Sequence, residues 1–215
     1  MIAARFSHVR HWVFDLDNTL YPPEVRLFDQ IEQRMTDWVM NALDVDRAHA
    51  NTLRKEYWHK FGTTLAGLMA EHRIDADAYL EDVHDISFDA LTPDGELRDL
   101  ISALPGRKIV YTNGSRPYAE NVLRSRGLSD AFDAVYGVEH AGFRPKPERI
   151  AFETVFGTDG IHPGTGAMFE DDARNLAAPF AMGMRTVHVA PEPQPEDHIE
   201  HHTDDLSDFL KQVLA

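Results

Sequence analysis

The order of apolar and polar positions divides the chain into three parts. The first is short. Trp12-Val13-Phe14 is an apolar run that stops at Asp15-Leu16-Asp17, which fits a buried strand. Tyr21-Pro22-Pro23 then turns the chain away. The second part is helical. Phe28, Ile31, Met35, Trp38, Val39 and Ala42 recur at helical spacing over 28–43. Leu53, Tyr57, Trp58 and Phe61 repeat the pattern up to Gly62. Leu65, Leu68 and Met69 carry a third segment, and Tyr79, Leu80 and Val83 a shorter fourth. No strand pattern occurs between Tyr21 and Phe88.

The third part alternates. Leu97, Leu100, Ile101 and Leu104 form a helix face, followed by a strand over 108–113. A helix through Tyr118, Val122 and Leu123 ends at Gly127. Strands at 134–138, 167–170 and 185–189 then alternate with helices at 147–156, 176–182 and 205–214, the first two of these helices ending at Gly157 and Gly183. This alternation predicts an α/β fold, a doubly wound parallel sheet of five strands, one before the helical block and four after it. The expected organisation is a core of 1–20 and 91–215 with a small all-helical insertion at 21–90.

Composition narrows the partners. A chain of 215 residues, 43% apolar, fits one core with an insertion. A net charge of −15 argues against a nucleic-acid polymer or a membrane surface as partner. It leaves room for a small anionic substrate, because a metal and a few local cations can reverse the field inside a cleft. The absence of cysteine excludes disulfides, thiolate metal sites and a thiol nucleophile. With no signal-peptide pattern and no membrane-length apolar run, a soluble cytoplasmic protein is the expectation. His198, His201 and His202 suggest a metal cluster on paper, but they follow Pro191, Pro193 and Pro195 and read as a solvated loop.

Candidate chemistry gathers at the strand ends. A parallel sheet brings these ends to one edge, where open α/β folds bind ligands. Asp15 and Asp17 end the first strand, Thr112, Asn113 and Gly114 the second, and Asp171 and Asp172 the fourth; Lys146 follows the third. Two carboxylates as close as Asp15 and Asp17 repel unless a cation or shared proton intervenes, and magnesium with oxygen ligands is the simplest resolution. Such a set suits a phosphate monoester, whose charge must be neutralised before a carboxylate can attack phosphorus. Thr112 and the backbone amides near Asn113 can donate to phosphate oxygens, and Lys146 supplies a fixed cation. Asp171 completes the metal site from the opposite side. A carboxylate two residues beyond the nucleophile can protonate the leaving alcohol and then activate water. Each piece alone has a plainer use as a turn cap, a helix cap or a solvated lysine; their order along one edge favours a site.

In that order, Asp15-Leu16-Asp17-Asn18-Thr19, Thr112-Asn113, Lys146-Pro147 and Phe169-Glu170-Asp171-Asp172 resemble the motifs of the haloacid dehalogenase (HAD) superfamily, over about 11–189. The resemblance implies a Rossmann-like core with the block at 21–90 as its cap, and Mg2+ as cofactor. It implies Asp15 as the nucleophile that forms an aspartyl-phosphate. Asp17 would be the general acid/base, also giving the metal a backbone carbonyl, and Asp171 the third protein ligand. Asp15 to Pro22, together with Glu56-Tyr57-Trp58-His59-Lys60-Phe61-Gly62-Thr63-Thr64-Leu65-Ala66-Gly67-Leu68, resembles the pyrimidine 5'-nucleotidase branch. That branch more often shows Tyr-Tyr and Tyr-Gly where Tyr57-Trp58 and Phe61-Gly62 stand, and frequently a basic residue at Ala66. Tyr57, Phe61 and Thr64 are then the cap residues expected to meet substrate; for the aromatics, a place in the cap core is the plainer alternative to a base platform. The activity implied is that of a hydrolase, a 5'-nucleotidase-like phosphatase for nucleoside 5'-monophosphates. Phosphoglycolate or a sugar phosphate is the alternative substrate. A phosphoacceptor signalling domain or a non-catalytic phosphate-binding module is the alternative of another class.

Overall fold

In the computed structural model, which describes residues 1–215, one parallel sheet organises the chain. Its strands are β1 (His11–Phe14), β2 (Arg107–Tyr111), β3 (Ala134–Tyr136), β4 (Gly166–Glu170), β5 (Arg185–Val189) and β6 (His201–Thr203). They lie in the order β3-β2-β1-β4-β5-β6. The helices are α1 (Ile2–Phe6), α2 (Leu27–Leu43), α3 (Arg47–Phe61), α4 (Thr64–His72), α5 (Ala76–Val83), α6 (Gly95–Ala103), α7 (Arg116–Arg126), α8 (Arg149–Asp159), α9 (Ala177–Ala181) and α10 (Leu206–Leu214). The doubly wound α/β class is as expected.

The strand count is six, not five. β6 is His201-His202-Thr203, three polar residues with no apolar signal, joined to β5 by the pairing of Val187 with His201. Two of the histidines expected in a solvated loop therefore belong to an edge strand. A second correction concerns α8. Gly157 lies inside it, and the helix ends at Gly160, whose φ of 80° suits glycine. The last turn is held by the Asp159 carboxylate, which accepts two hydrogen bonds from Arg107 at 2.6 Å and one from Tyr136 at 2.8 Å. That tether outweighs the roughly 1 kcal/mol penalty of one helical glycine.

Alternation along each strand fills both faces of the sheet. Trp12 and Phe14 join Val110, Phe169 and Val187 under α1, α6, α7 and α10. Val13 joins Ile109, Tyr111 and Met168 under α8. Phe14 and Phe169, neighbours across β1 and β4, stack with centroids 4.6 Å apart. β1 is therefore central, with β2 and β4 on either side, and the chain order reverses around it.

Helices α2 to α5 form a block between β1 and α6 around a separate apolar cluster, which includes Val39, Tyr57, Leu68 and Tyr79 and takes in Val138 from beyond β3. Their starts follow from short polar caps: Asp46, Thr63 and Asp75 each accept a backbone N–H of the first turn of α3, α4 and α5. Helix α2 serves both clusters, with Leu27 and Ile31 against the sheet and Val39 inside the block. The two connections to the block are stapled by Arg126 of α7. Its buried guanidinium donates to the Leu20 carbonyl at 3.1 Å and to the Thr92 carbonyl, and pairs with Asp94 at 2.8 Å. No helix is long and apolar enough to cross a membrane.

Removing that staple strands two carbonyls and a carboxylate. Arg126→Ala is expected to lower unfolding free energy by roughly 2–3 kcal/mol, read from urea denaturation. A loss below about 0.5 kcal/mol would mean that the connections are held by other contacts.

Candidate active site

The site begins where β1 ends. The Asp15 N–H donates to the Phe169 carbonyl at 2.9 Å, which extends the β1–β4 pairing by one residue and fixes the Asp15 carboxylate at the centre of the sheet edge. Lys146 is 1% exposed. Its ammonium donates to Asp15 Oδ1 at 2.6 Å, to Glu170 Oε2 at 2.6 Å and to the Tyr111 carbonyl at 3.0 Å. Asn113 places this lysine. Its side chain accepts the Lys146 N–H at 2.8 Å and donates to the Lys146 carbonyl at 3.0 Å. Thr112, beside it, is buried, and its Oγ1 accepts the Gly114 N–H at 2.9 Å. Gly114 has no room for a side chain: a Cβ there would lie 2.9 Å from the Tyr118 ring.

The opposite wall is the turn after β4. Asn18, in the left-handed region at φ 56°, donates to Asp171 Oδ2 at 3.1 Å. His188 Nε2 meets the Asp171 carbonyl and His198 Nε2 the Ala173 carbonyl, both at 2.8 Å. His198 therefore braces this turn rather than sitting in a solvated loop. Asp172 caps the short 3-10 turn Ala173–Leu176 and pairs with Arg174 at 2.6 Å. The Arg174 guanidinium lies 3.5 Å above the Trp58 ring of α3, a cation–π contact between the sheet edge and the helical block.

Asp15, Glu170 and Asp171 each present a carboxylate oxygen, all within 4.8 Å of one another. Hard oxygen donors of this kind suit magnesium. The charge balance agrees. Burial pushes the Asp15 carboxyl well above the usual range, and the Glu170 and Lys146 charges act on it in opposite senses. Burial raises Glu170 to about 8 against the pull of Lys146. Burial, then the Asp15 charge, raises Asp171 to about 7. Burial disfavours the Lys146 charge, yet Asp15 and Glu170 more than restore it. One ammonium does not balance this group, and a divalent cation is the charge that fits.

Asp17 points elsewhere. Its Oδ1 accepts from the Tyr21 hydroxyl at 2.6 Å and the Tyr118 hydroxyl at 2.5 Å. It lines a cavity of about 610 Å³ between the sheet edge and the helical block, together with Asn113, Gly114 and, from the block, Trp58 and Thr64. Thr64, one of the cap residues singled out in the sequence, is thus among the residues that line the cavity. Tyr57 and Phe61 do not line it. Tyr57 is packed so close to Gly67 that a Cβ there would lie 2.3 Å from its ring, and its hydroxyl meets His72 Nε2 at 2.6 Å. The strand-end residues Asp15, Thr112, Asn113, Lys146 and Asp171 come together at one edge. Sequence reasoning missed Glu170, Asn18, Tyr21 and Tyr118. Glu170 had a signal: a charged residue that prolongs a strand buried on both faces needs a partner.

The family described as "Hydrolase: haloacid dehalogenase-like hydrolase" matches residues 9–183. Phosphate metabolism protein 8 of Saccharomyces cerevisiae is 26% identical over 223 residues, covering 94% of this chain and 69% of that protein. The structure of a HAD phosphatase from Thermococcus onnurineus superposes with a TM-score of 0.64 at 17% identity, covering 95% of this chain and 98% of that one. L-2-haloacid dehalogenase from Xanthobacter autotrophicus, with chloropropionic acid covalently bound, gives 0.58 at 18% identity, with the same coverage of 95% and 98%. At these identities the two structures share the fold, and the fold does not choose between their chemistries.

The raised carboxyl pKa values have a sign. The folded state holds these protons more tightly than the unfolded chain, so stability is full below the ordinary carboxylate range and is lost as pH rises through about 7 to 8. Burial lowers His84 to about 4 and also lowers His188, an opposite effect complete by about pH 6.5. In metal-free protein the thermal midpoint is expected to fall between about pH 6.5 and pH 8.5, and added Mg2+ to raise it most at the alkaline end. Calorimetry checks this; a midpoint indifferent to both pH and Mg2+ would contradict the charge balance described above.

Proposed function

The chain belongs to the haloacid dehalogenase-like hydrolases, and on that basis we propose that it is a magnesium-dependent phosphomonoesterase acting through an aspartyl-phosphate on Asp15. The observation that carries this reading is the division of labour between two carboxylates. Asp15 is gripped by Lys146, while Asp17, two residues on, lines the cavity with its own pair of hydrogen-bond donors. Displacement of a halide needs no proton for the leaving group, so dehalogenation leaves Asp17 without a use.

Asp15, Asp171 and Glu170, with the Asp17 backbone carbonyl, are the groups that would hold magnesium, which neutralises charge on the phosphoryl group. Thr112 and the backbone at Asn113 would receive the phosphate oxygens beside Gly114, while the Lys146 ammonium, already shared among Asp15, Glu170 and the Tyr111 carbonyl, supplies fixed positive charge next to them. A carboxylate oxygen of Asp15 attacks phosphorus, the bond from phosphorus to the alcohol oxygen breaks, and that oxygen takes a proton from Asp17. Asp17, now a carboxylate, takes a proton from water as the water oxygen attacks phosphorus. The bond from phosphorus to Asp15 then breaks, which releases phosphate and restores both carboxyl groups.

The helical block at 21–90 acts as a cap on the core of 1–20 and 91–215 and selects the leaving group. A cavity of about 610 Å³ with both apolar and polar walls, such as Met35 and Asn51, supports a nucleoside 5'-monophosphate as substrate, and the resemblance of the segments 15–22 and 56–68 is what favours a pyrimidine. Phosphoglycolate, a far smaller molecule, would leave most of that space to water; a sugar phosphate is the second reading.

A panel of nucleoside monophosphates, phosphoglycolate and sugar phosphates, assayed for phosphate release with Mg2+, tests the proposal. Release is expected to be highest on a pyrimidine 5'-monophosphate, to stop on chelation, and to fall at least about 10³-fold in Asp15→Asn with the fold intact. No release from any of them by folded protein overturns the phosphatase; preference for a sugar phosphate overturns the nucleotide.

A further inference from the structure

Both chain connections between the sheet and the helical block lead to the same carboxylate. Tyr21 stands on the outgoing connection, and its hydroxyl donates to Asp17 Oδ1 at 2.6 Å. His84 caps the C-terminus of α5 on the returning connection. Its ring lies nearly parallel to Tyr118, with centroids 4.3 Å apart and planes 10° apart, and its Nδ1 meets Ser115 Oγ at 3.0 Å. Tyr118 donates to the same Asp17 Oδ1 at 2.5 Å. Tyr21 is 2% exposed and Tyr118 1%. Gly114 also packs against Tyr118, since a Cβ there would lie 2.9 Å from its ring.

Two donors on one carboxylate oxygen constrain where a proton can sit. Oδ1 accepts both phenolic protons, and an acid proton on that oxygen would compete with them for the same lone pairs. Oδ2 carries neither phenol, and Asp17 is among the residues that line the cavity. We infer that Tyr21 and Tyr118 are positioning residues that confine the transferable proton of Asp17 to Oδ2, and that His84 ties this arrangement to the seating of the returning connection. The inference rests on the phosphatase reading, in which Asp17 is the acid. As the bond from phosphorus to the alcohol oxygen breaks, the Oδ2 proton passes to that oxygen, and the negative charge left on the carboxylate is shared with Oδ1, where the phenols already point. In the second half of the cycle water returns a proton to Oδ2. His84, Tyr118 and Tyr21 are thus a mechanical line from the helical block to the acid.

The test is a leaving-group series with the full chain and Mg2+. The constant kcat/KM reports events up to departure of the alcohol, so its dependence on leaving-group basicity reads the acid directly. Across aryl phosphates with leaving-group pKa from about 4 to about 10, wild type is expected to show a shallow slope. Tyr118→Phe keeps the ring under His84 and removes only the hydroxyl. It is expected to lose roughly 10- to 100-fold on the most basic leaving groups and less than about 3-fold on the least basic, which steepens the slope. Tyr21→Phe gives the same change independently if Tyr118→Phe fails to fold, and His84→Ala gives a smaller one. An equal loss on every substrate, or an unchanged slope in an active variant, overturns the positioning role alone. A folded wild type that hydrolyses none of the series overturns the phosphatase and this role together.

Discussion

A single ammonium holds the functional edge of this protein. Lys146 is buried, and a buried charge must be paired or it does not survive folding. Its three acceptors come from three adjacent strands: Tyr111 from β2, Asp15 from just beyond β1, and Glu170 from β4. The lysine therefore fixes the central strand ends relative to one another as well as balancing charge. The balance is incomplete, because Asp171 and Asp17 lie beside the pair it serves. That shortfall is one that a divalent cation could make good, as the proposed function requires. The loop from Asn113 to Ser115 and the turn after β4 are arranged around this fact. Asn113 clasps the lysine backbone, and Asn18 turns Asp171 inward.

The helical block is joined to this edge at more than its covalent connections. Arg126 clasps both of them from beneath, Tyr21 and the His84–Tyr118 pair meet Asp17 from within, and Arg174 lies over Trp58 across the cavity. The metal-side turn and the acid are thus each linked to a different part of the block. Asp17, Trp58 and Arg174 all line the same cavity, so a ligand filling it would meet both links at once.

The core and most of the edge were legible in the sequence. A strand buried on both faces must be apolar, so the abrupt change from Phe14 to Asp15, or from Tyr111 to Thr112, marks a strand end that faces a site. What escaped lay in tertiary pairing. Glu170 reads as the polar end of an apolar run until Lys146, 24 residues away, is brought against it. Tyr118 reads as one apolar position of a helix face, and nothing local shows that its hydroxyl reaches a carboxylate 101 residues earlier. In α3, periodicity placed Tyr57, Trp58 and Phe61 near one another, but the fit of Tyr57 against Gly67 decided that Trp58, not Tyr57, meets the cavity. β6 had no pattern to find, because an edge strand of three polar residues is specified by its neighbour rather than by itself.

The two ends of the sheet are alike in one respect. β3 and β6 are three residues each, whereas the strands between them have four or five. Unpaired backbone at a sheet edge is what another chain uses to extend it, and both edges here stop almost as soon as they begin. The four inner strands, three of which end at the candidate site, are flanked on both sides by these stubs. The apolar interior of the sheet is thereby kept from serving as a template for aggregation.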